Sequence, residues 1–351
     1  MKQEQLLQYF CCSSNFTILA MTKFWLSGLV FLMHLSIYAK VDEVVHCKDM
    51  ALMKWEPTMS VLTQNKAIVS SNSIVIPLKR AGKLILIEAT VDSVKGNLIL
   101  DTGSMKLVLN SIYFRDGRKI AGSVSGGVTG KVQTVSKNKI RRIQMADIVY
   151  ENIDADIVDL GHLESVRNVK ILGFYGLSML KDFEIVIDLQ ANVLELHKTD
   201  NNGKRLNIES IRPSIDLSLP VYNNDGILLI QAKIGKSSYT FCLDTGAESN
   251  VLCSSLPDRA LNTISVTRRS SLRGAGSNMV EVFHGIMNDF SVGKHRITGM
   301  QTMVTSLKAM SNAYGIEIDG MLGCDFFEQG IVFLDLKNKQ MGIQFYKNVK
   351  E

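Results

Sequence analysis

From Ser73 onward, short runs of β-branched and other apolar residues alternate with Gly, Asn and Asp positions. The runs read SIVIPL (73–78), KLILIEATV (83–91), GNLILD (96–101) and KLVLN (106–110). Further along come ILLIQAKI (227–234), YTFCLD (239–244) and SNVLC (249–253). Apolar runs this short, each bounded by turn formers, predict strands, and their density predicts an all-β chain with few helices.

The pattern also repeats. GNLILDTGSMKLVLN at 96–110 aligns with YTFCLDTGAESNVLC at 239–253, an offset of 143. GFYGLSMLKDFEIVIDL at 173–189 aligns with GMLGCDFFEQGIVFLDL at 320–336, an offset of 147. Two blocks in the same order at nearly the same separation indicate an internal duplication. The expected organisation is a first lobe over 62–200, a polar linker over 201–213 and a second lobe over 214–348. Each half runs through a hairpin, an Asp-Thr-Gly turn, a Gly-rich segment, an apolar-Gly turn and a closing strand pair.

Composition supports this picture. The chain has 351 residues, 46% of them hydrophobic and 21% charged, with only 5 Pro, which excludes a disordered or collagen-like polypeptide and leaves room for two lobes. Lys and Arg exceed Asp and Glu by 39 to 34, but the excess is spread along the chain, so nucleic-acid binding is not indicated. The basic stretch Lys137 to Arg142 alternates with polar and apolar residues and reads as one solvated strand face. Residues 24–39, FWLSGLVFLMHLSIYA, follow Lys23 and precede the charged stretch Lys40 to Glu43. That is the pattern of a secretory signal, short for a membrane span of about 20 residues. Residues 1–39 are therefore expected to be a leader and 40–61 an N-terminal extension. The protein is expected to be exported, periplasmic or secreted, with anchoring through the apolar segment as the lesser alternative. Of six cysteines, Cys11 and Cys12 fall in the leader, and no C-x-x-C pair or other metal-ligand spacing is present. Export would permit a disulfide between Cys242 and Cys253, but both sit among apolar strand residues and read as buried free thiols.

The candidate chemistry lies at the two Asp-Thr-Gly turns. Asp101-Thr102-Gly103 ends the run Leu98-Ile99-Leu100, and Asp244-Thr245-Gly246 ends Phe241-Cys242-Leu243. A given tripeptide arises by chance roughly once in ten or more chains of this size. Two at equivalent positions of a duplicated unit are a different matter. Each half delivers one carboxylate from a strand end, and two facing lobes would bring Asp101 and Asp244 together. Like charges a few ångströms apart cannot both ionise, so such a pair shares a proton, one member acting as base on a water and the other as acid. The glycine of each turn allows close backbone approach, and each threonine hydroxyl can bond across to the partner turn. The turns differ in that Ser104 follows the first and Ala247 the second. A Ser104 hydroxyl donating to Asp101 would make Asp101 the more acidic member and leave the proton on Asp244; bonding of Ser104 to nearby backbone alone is the competing expectation.

On these residues the chain resembles the pepsin/retropepsin-type aspartic proteases over about residues 70–348, with LDTGAESNVL nearest the retropepsin pattern and DTGSMKLVL leaning toward the pepsin form. The resemblance is to a fused retropepsin-like double domain of bacterial type. It implies two pseudo-symmetric β-barrel lobes with the active site between them, Asp101 and Asp244 as catalytic residues, and Thr102, Gly103, Ser104, Thr245, Gly246 and Ala247 as turn support. Its hydrophobic-hydrophobic-Gly elements match Phe174-Tyr175-Gly176 and Met321-Leu322-Gly323. The Gly-rich segments, including Gly126 and Gly127 in the first lobe and Gly274 and Gly276 in the second, match flap hairpins. No Tyr lies between Phe114 and Val149, so the pepsin flap tyrosine is missing. Trp55 reads as packing ahead of the first lobe.

The expected activity is that of an endopeptidase acting on an extended peptide or protein substrate, as a monomer with intrachain lobe pairing and with no metal or cofactor. The alternative is a peptide-binding module that keeps the fold without turnover. Retention of both Asp-Thr-Gly turns favours the enzyme. No Walker loop, G-x-G-x-x-G, H-E-x-x-H or G-x-S-x-G pattern competes.

Overall fold

The computed structural model describes residues 66–115, 124–127, 130–133, 136–210, 214–224, 226–273 and 279–346, with backbone only at 124–133, 272, 273, 279 and 280. The leader, the 40–61 extension, Trp55, Gly274 and Gly276 lie outside the described residues. Among those described, no helix is long and apolar enough to cross a membrane.

The architecture is all-β and two-lobed. In the first lobe, strands Leu84–Val91 and Val94–Asp101 form the hairpin that delivers the first Asp-Thr-Gly turn. The sheet continues through Ile171–Gly176, Val108–Asn110, Ile148–Val158 and Ser136–Met145, and the last of these pairs back onto Leu84–Val91 through Thr90 and Val91. Six strands thus close a ring around Ile87, Leu98, Leu100, Ile143, Ile153 and Tyr175. Closure leaves these strands without a free hydrogen-bonding edge. On Ser136–Met145, Ile140 and Ile143 point inward while Lys139, Arg141 and Arg142 are exposed, the alternation of a half-solvated strand.

The second lobe repeats this path with Ile227–Ile234, Ser237–Leu243, Gly320–Leu322, Asn250–Cys253, Met300–Thr305 and Met279–Met287. Here the ring does not close as one strand. The strand ends at Met287, and the next, Phe290–Val292, meets the first strand of the lobe only through Ser291 and Phe290. The second lobe is therefore an open ladder where the first is a ring.

Corresponding turns share backbone geometry. Asp92 and Gly235, related by the 143-residue offset, each turn the hairpin before an Asp-Thr-Gly strand, and both have positive φ, 51° and 59°. Asp92 also spends its carboxylate on the backbone N–H groups of Arg141 and Arg142, a side-chain bond that suits Asp to a turn.

The lobes are joined by a six-stranded antiparallel sheet in the order Ser73–Ala81, Val193–Lys198, Phe183–Asp188, Gly330–Asp335, Gln340–Phe345 and Leu217–Pro220. At its centre Val186 faces Phe333, with Ile185 opposite Leu334 and Ile187 opposite Val332. Val186 and Phe333 are equivalent positions of the second repeated block, so the duplicated segments pair with each other about a pseudo-twofold axis. The polar segment after this sheet is packed down: Arg205 is buried and ion-paired with Glu184.

Candidate active site

Strand Val94–Asp101 ends at Asp101, and Ser237–Leu243 ends one residue before Asp244. Each is held by a parallel neighbour from its own lobe: Gly176 lies opposite Asp101, and Leu322 lies opposite Leu243 with its carbonyl accepting the Asp244 N–H at 3.0 Å. These neighbours are the two hydrophobic-hydrophobic-Gly elements. A Cβ on Gly176 would sit 2.7 Å from the Ser104 carbonyl oxygen, and one on Gly323 would sit 2.7 Å from that of Ala247. Both positions require glycine for the same steric reason, because backbone cannot yield as a flexible side chain can.

The two turns interlock symmetrically. The Thr102 N–H donates to Thr245 Oγ1 at 3.0 Å and the Thr245 N–H to Thr102 Oγ1 at 3.0 Å. Each hydroxyl then donates to the opposite strand, Thr102 to the Leu243 carbonyl at 2.9 Å and Thr245 to the Leu100 carbonyl at 2.8 Å. Both threonines are fully buried, so all four bonds are made without competition from water.

This grip sets Asp101 and Asp244 side by side, each carboxyl packed against the other turn's glycine. The Gly103 N–H donates to Asp101 Oδ1 at 2.9 Å and the Gly246 N–H to Asp244 Oδ1 at 2.8 Å. A Cβ on Gly103 would fall 2.6 Å from Asp244 Cγ, and one on Gly246 would fall 2.8 Å from Asp101 Cγ. Each glycine therefore lies against the other lobe's carboxylate. Both carboxyls are pushed up, first by burial and, for Asp101, next by the charge of Asp244. The pair holds a proton at pH values where an isolated aspartic acid has lost its own.

Ser104 does not sit as one sequence expectation had it. Its hydroxyl donates to the Lys106 carbonyl at 3.1 Å and makes no bond to Asp101. The donors at the two turns are backbone N–H groups in matching positions, so Ser104 against Ala247 gives no basis for calling Asp101 the more acidic member.

Gly126 and Gly127 lie in a two-stranded hairpin, Val124–Gly127 with Gly130–Gln133, that packs against the helix Lys308–Tyr314 of the opposite lobe. In the second lobe, strands Ile264–Arg273 and Met279–Met287 form the flanks of the corresponding hairpin.

Several residues near the site carry no signal in the sequence. Asn250, buried, accepts the Gly323 N–H at 3.0 Å and donates to the Gln301 carbonyl at 3.1 Å. Across one side of the lobe contact, Arg80 pairs with Glu328, Lys83 with Asp325 and Arg167 with Glu248, every cation from the first lobe and every anion from the second. Ser249 adds a hydrogen bond to Asp325 at 3.0 Å. Cys242, Cys253 and Cys324 are buried and unpaired, and burial raises the thiols of Cys242 and Cys324. Among the described residues no cluster of side chains could hold a metal ion.

Residues 230–326, which span the second Asp-Thr-Gly turn and the Met321-Leu322-Gly323 element, match the family model described as aspartyl protease. The second lobe is thus similar to the aspartyl proteases over the stretch that carries its Asp-Thr-Gly turn. Among solved structures, the aspartic proteinase from Irpex lacteus is similar at 12% identity, over 79% of this chain and 98% of that one, with a TM-score of 0.47. A search of curated proteins gives no match. The family match lies in the second lobe, and the first lobe, by duplication, carries the other Asp-Thr-Gly turn.

Proposed function

We propose that this protein is an aspartic endopeptidase in which Asp101 and Asp244, one from each lobe, activate a water between them. The observation that carries the reading is the carboxylate pair: two half-buried aspartates from duplicated turns, each packed against the other turn's glycine and both raised. In that state one carboxylate is ionised and one is protonated. The ionised member takes a proton from the water as it attacks the peptide carbonyl, while the protonated member gives its proton to the carbonyl oxygen. The tetrahedral species then collapses as a proton passes to the leaving nitrogen, yielding a carboxylate and an amine. Symmetry of the backbone donors at the two turns lets either aspartate play either part. The substrate is an extended polypeptide lying beneath the Val124–Gln133 hairpin, where strand-like backbone contacts supply affinity with little side-chain demand.

We further propose that the chain acts as a monomer, since both turns come from one polypeptide, and that the apolar run at 24–39 directs export. A mature N-terminus near residue 40 in the exported protein would support the second point, and an N-terminus that keeps the 24–39 run would refute it.

The deciding experiment is cleavage of a peptide library by the purified chain, with and without pepstatin. Cleavage that is blocked by pepstatin and lost in Asp101→Asn is expected. Pepstatin binding without cleavage would establish a peptide-binding module instead.

A further inference from the structure

We propose that Tyr314 is a substrate-binding residue, its phenol delivered from the second lobe into the cleft beside the aspartate pair, where its hydroxyl donates to the backbone of the bound peptide. The inference rests on the peptidase reading above.

Tyr314 is the last residue of the helix Lys308–Tyr314, which Gly315 ends in a left-handed conformation with φ 66°. That helix packs against Val124–Gly127, the flap strand of the other lobe. Its end is fixed from below, because Asn224 Nδ2 donates to the Tyr314 carbonyl at 3.0 Å. Two residues on, Gly226 presses against Met105, with a Cβ there falling 2.5 Å from that of Met105. Met105 is the fourth residue after Asp101. The helix end, this turn and the first active turn are therefore stacked, with the flap on the helix's other side.

The ring is half-buried against the core, and its hydroxyl has no hydrogen-bond partner among the described residues. Burial raises the phenol to about 12, and the charges of Asp101, Asp244 and Cys242 push in the same direction. The helix end, held between the flap strand and the turn that touches Met105, faces the cleft, and the electrostatics agree with that placement.

The pseudo-twofold sharpens the point. At the 147-residue offset of the second repeated block, Tyr314 corresponds to Arg167, which also ends a helix and is also followed by a left-handed residue, Asn168. Arg167 is committed to Glu248 across the lobe contact. The Glu248 position corresponds to Met105 at the other offset, which offers no acceptor comparable to a carboxylate. The same place in the fold is thus locked in one lobe and, among the described residues, carries an unpartnered hydroxyl in the other. With no tyrosine in the first-lobe flap, this hydroxyl is well placed to hold a peptide from the opposite side.

Two measurements on the full chain test the assignment. The first reads placement without any substrate: with [13C]tyrosine labelling, the Cζ resonance lost in Tyr314→Phe should move as the aspartate pair titrates and stop moving in Asp101→Asn. A resonance indifferent to that titration overturns the proposal. The second compares Tyr314→Phe with wild type on one cleavable peptide. An unchanged Tm, because the hydroxyl has no partner among the described residues, should accompany a fall in kcat/KM of roughly three- to tenfold, the range of one neutral hydrogen bond, carried mainly by KM. An unchanged kcat/KM overturns the proposal even where the resonance responds. If wild type cleaves no peptide and binds no pepstatin while the resonance responds, the peptidase reading falls and the hydroxyl remains placed at the pair.

Discussion

At the scale of single residues, the aspartate pair sets activity against stability. Burial lifts both carboxyls above the unfolded value of about 3.9. Below that value both states are protonated and the native state suffers nothing. As pH rises toward the native values, the unfolded chain gives up its protons first, so stability is lost over that interval. Asp101→Asn and Asp244→Asn should each have kcat/KM below about 1% of wild type, yet melt higher than wild type at pH 7, with the difference vanishing as pH falls to about 4. Thermal melts across pH measure this; a mutant less stable than wild type at pH 7 would refute it. Ser104 belongs to the same scale. Since its hydroxyl bonds the Lys106 carbonyl, Ser104→Ala should give a pH profile of kcat/KM that overlays wild type, and a shifted acidic limb would restore the role first expected of it.

At the scale of elements, the active turns are held by bonds whose partners lie more than 140 residues apart. Thr102→Val removes the acceptor of the Thr245 N–H and the donor to the Leu243 carbonyl, leaving two buried groups unmet. The expected loss is about 2–4 kcal/mol in urea unfolding, largely recovered by Thr102→Ser; Thr245→Val should match it because the bonds mirror one another. A loss confined to one threonine would contradict the symmetry. Much of this level was legible in the chain, because duplication printed each strand, turn and apolar-Gly element twice, with Asp101 and Asp244 in register. The orientation of Ser104 was not legible, since a serine after a turn finds a backbone carbonyl as readily as a side chain. Arg167, Glu248 and Tyr314 were not legible either. Their helices and contacts fall outside the repeated blocks' identities, and only the offset, extended beyond the blocks, pairs 167 with 314.

At the scale of the whole molecule, the two lobes meet through unlike charge. Asp325 is 7% exposed and is met by Lys83 and Ser249. Lys83→Met leaves that carboxylate with one hydroxyl, and the expected cost is about 1–3 kcal/mol, reduced from a fully buried pair because Lys83 keeps part of its solvent. Lys79→Met, whose partner Glu88 is exposed, should leave the unfolding midpoint where it is. Equal effects in the two variants would mean that the lobe contact owes little to charge.

The difference between the two β-systems bears on how the molecule yields. A hoop under load shares the strain around its circumference, whereas a band fastened by a short latch gives way at the latch. In the second lobe that latch is the pair Lys233–Ser291 and Ile234–Phe290, so slackening begins there, on the half that also carries the family match. Deuterium should enter the amides of Ser291–Ile297 well before those of Ser136–Met145, and the second lobe should be the jaw that opens when a long polypeptide is threaded in.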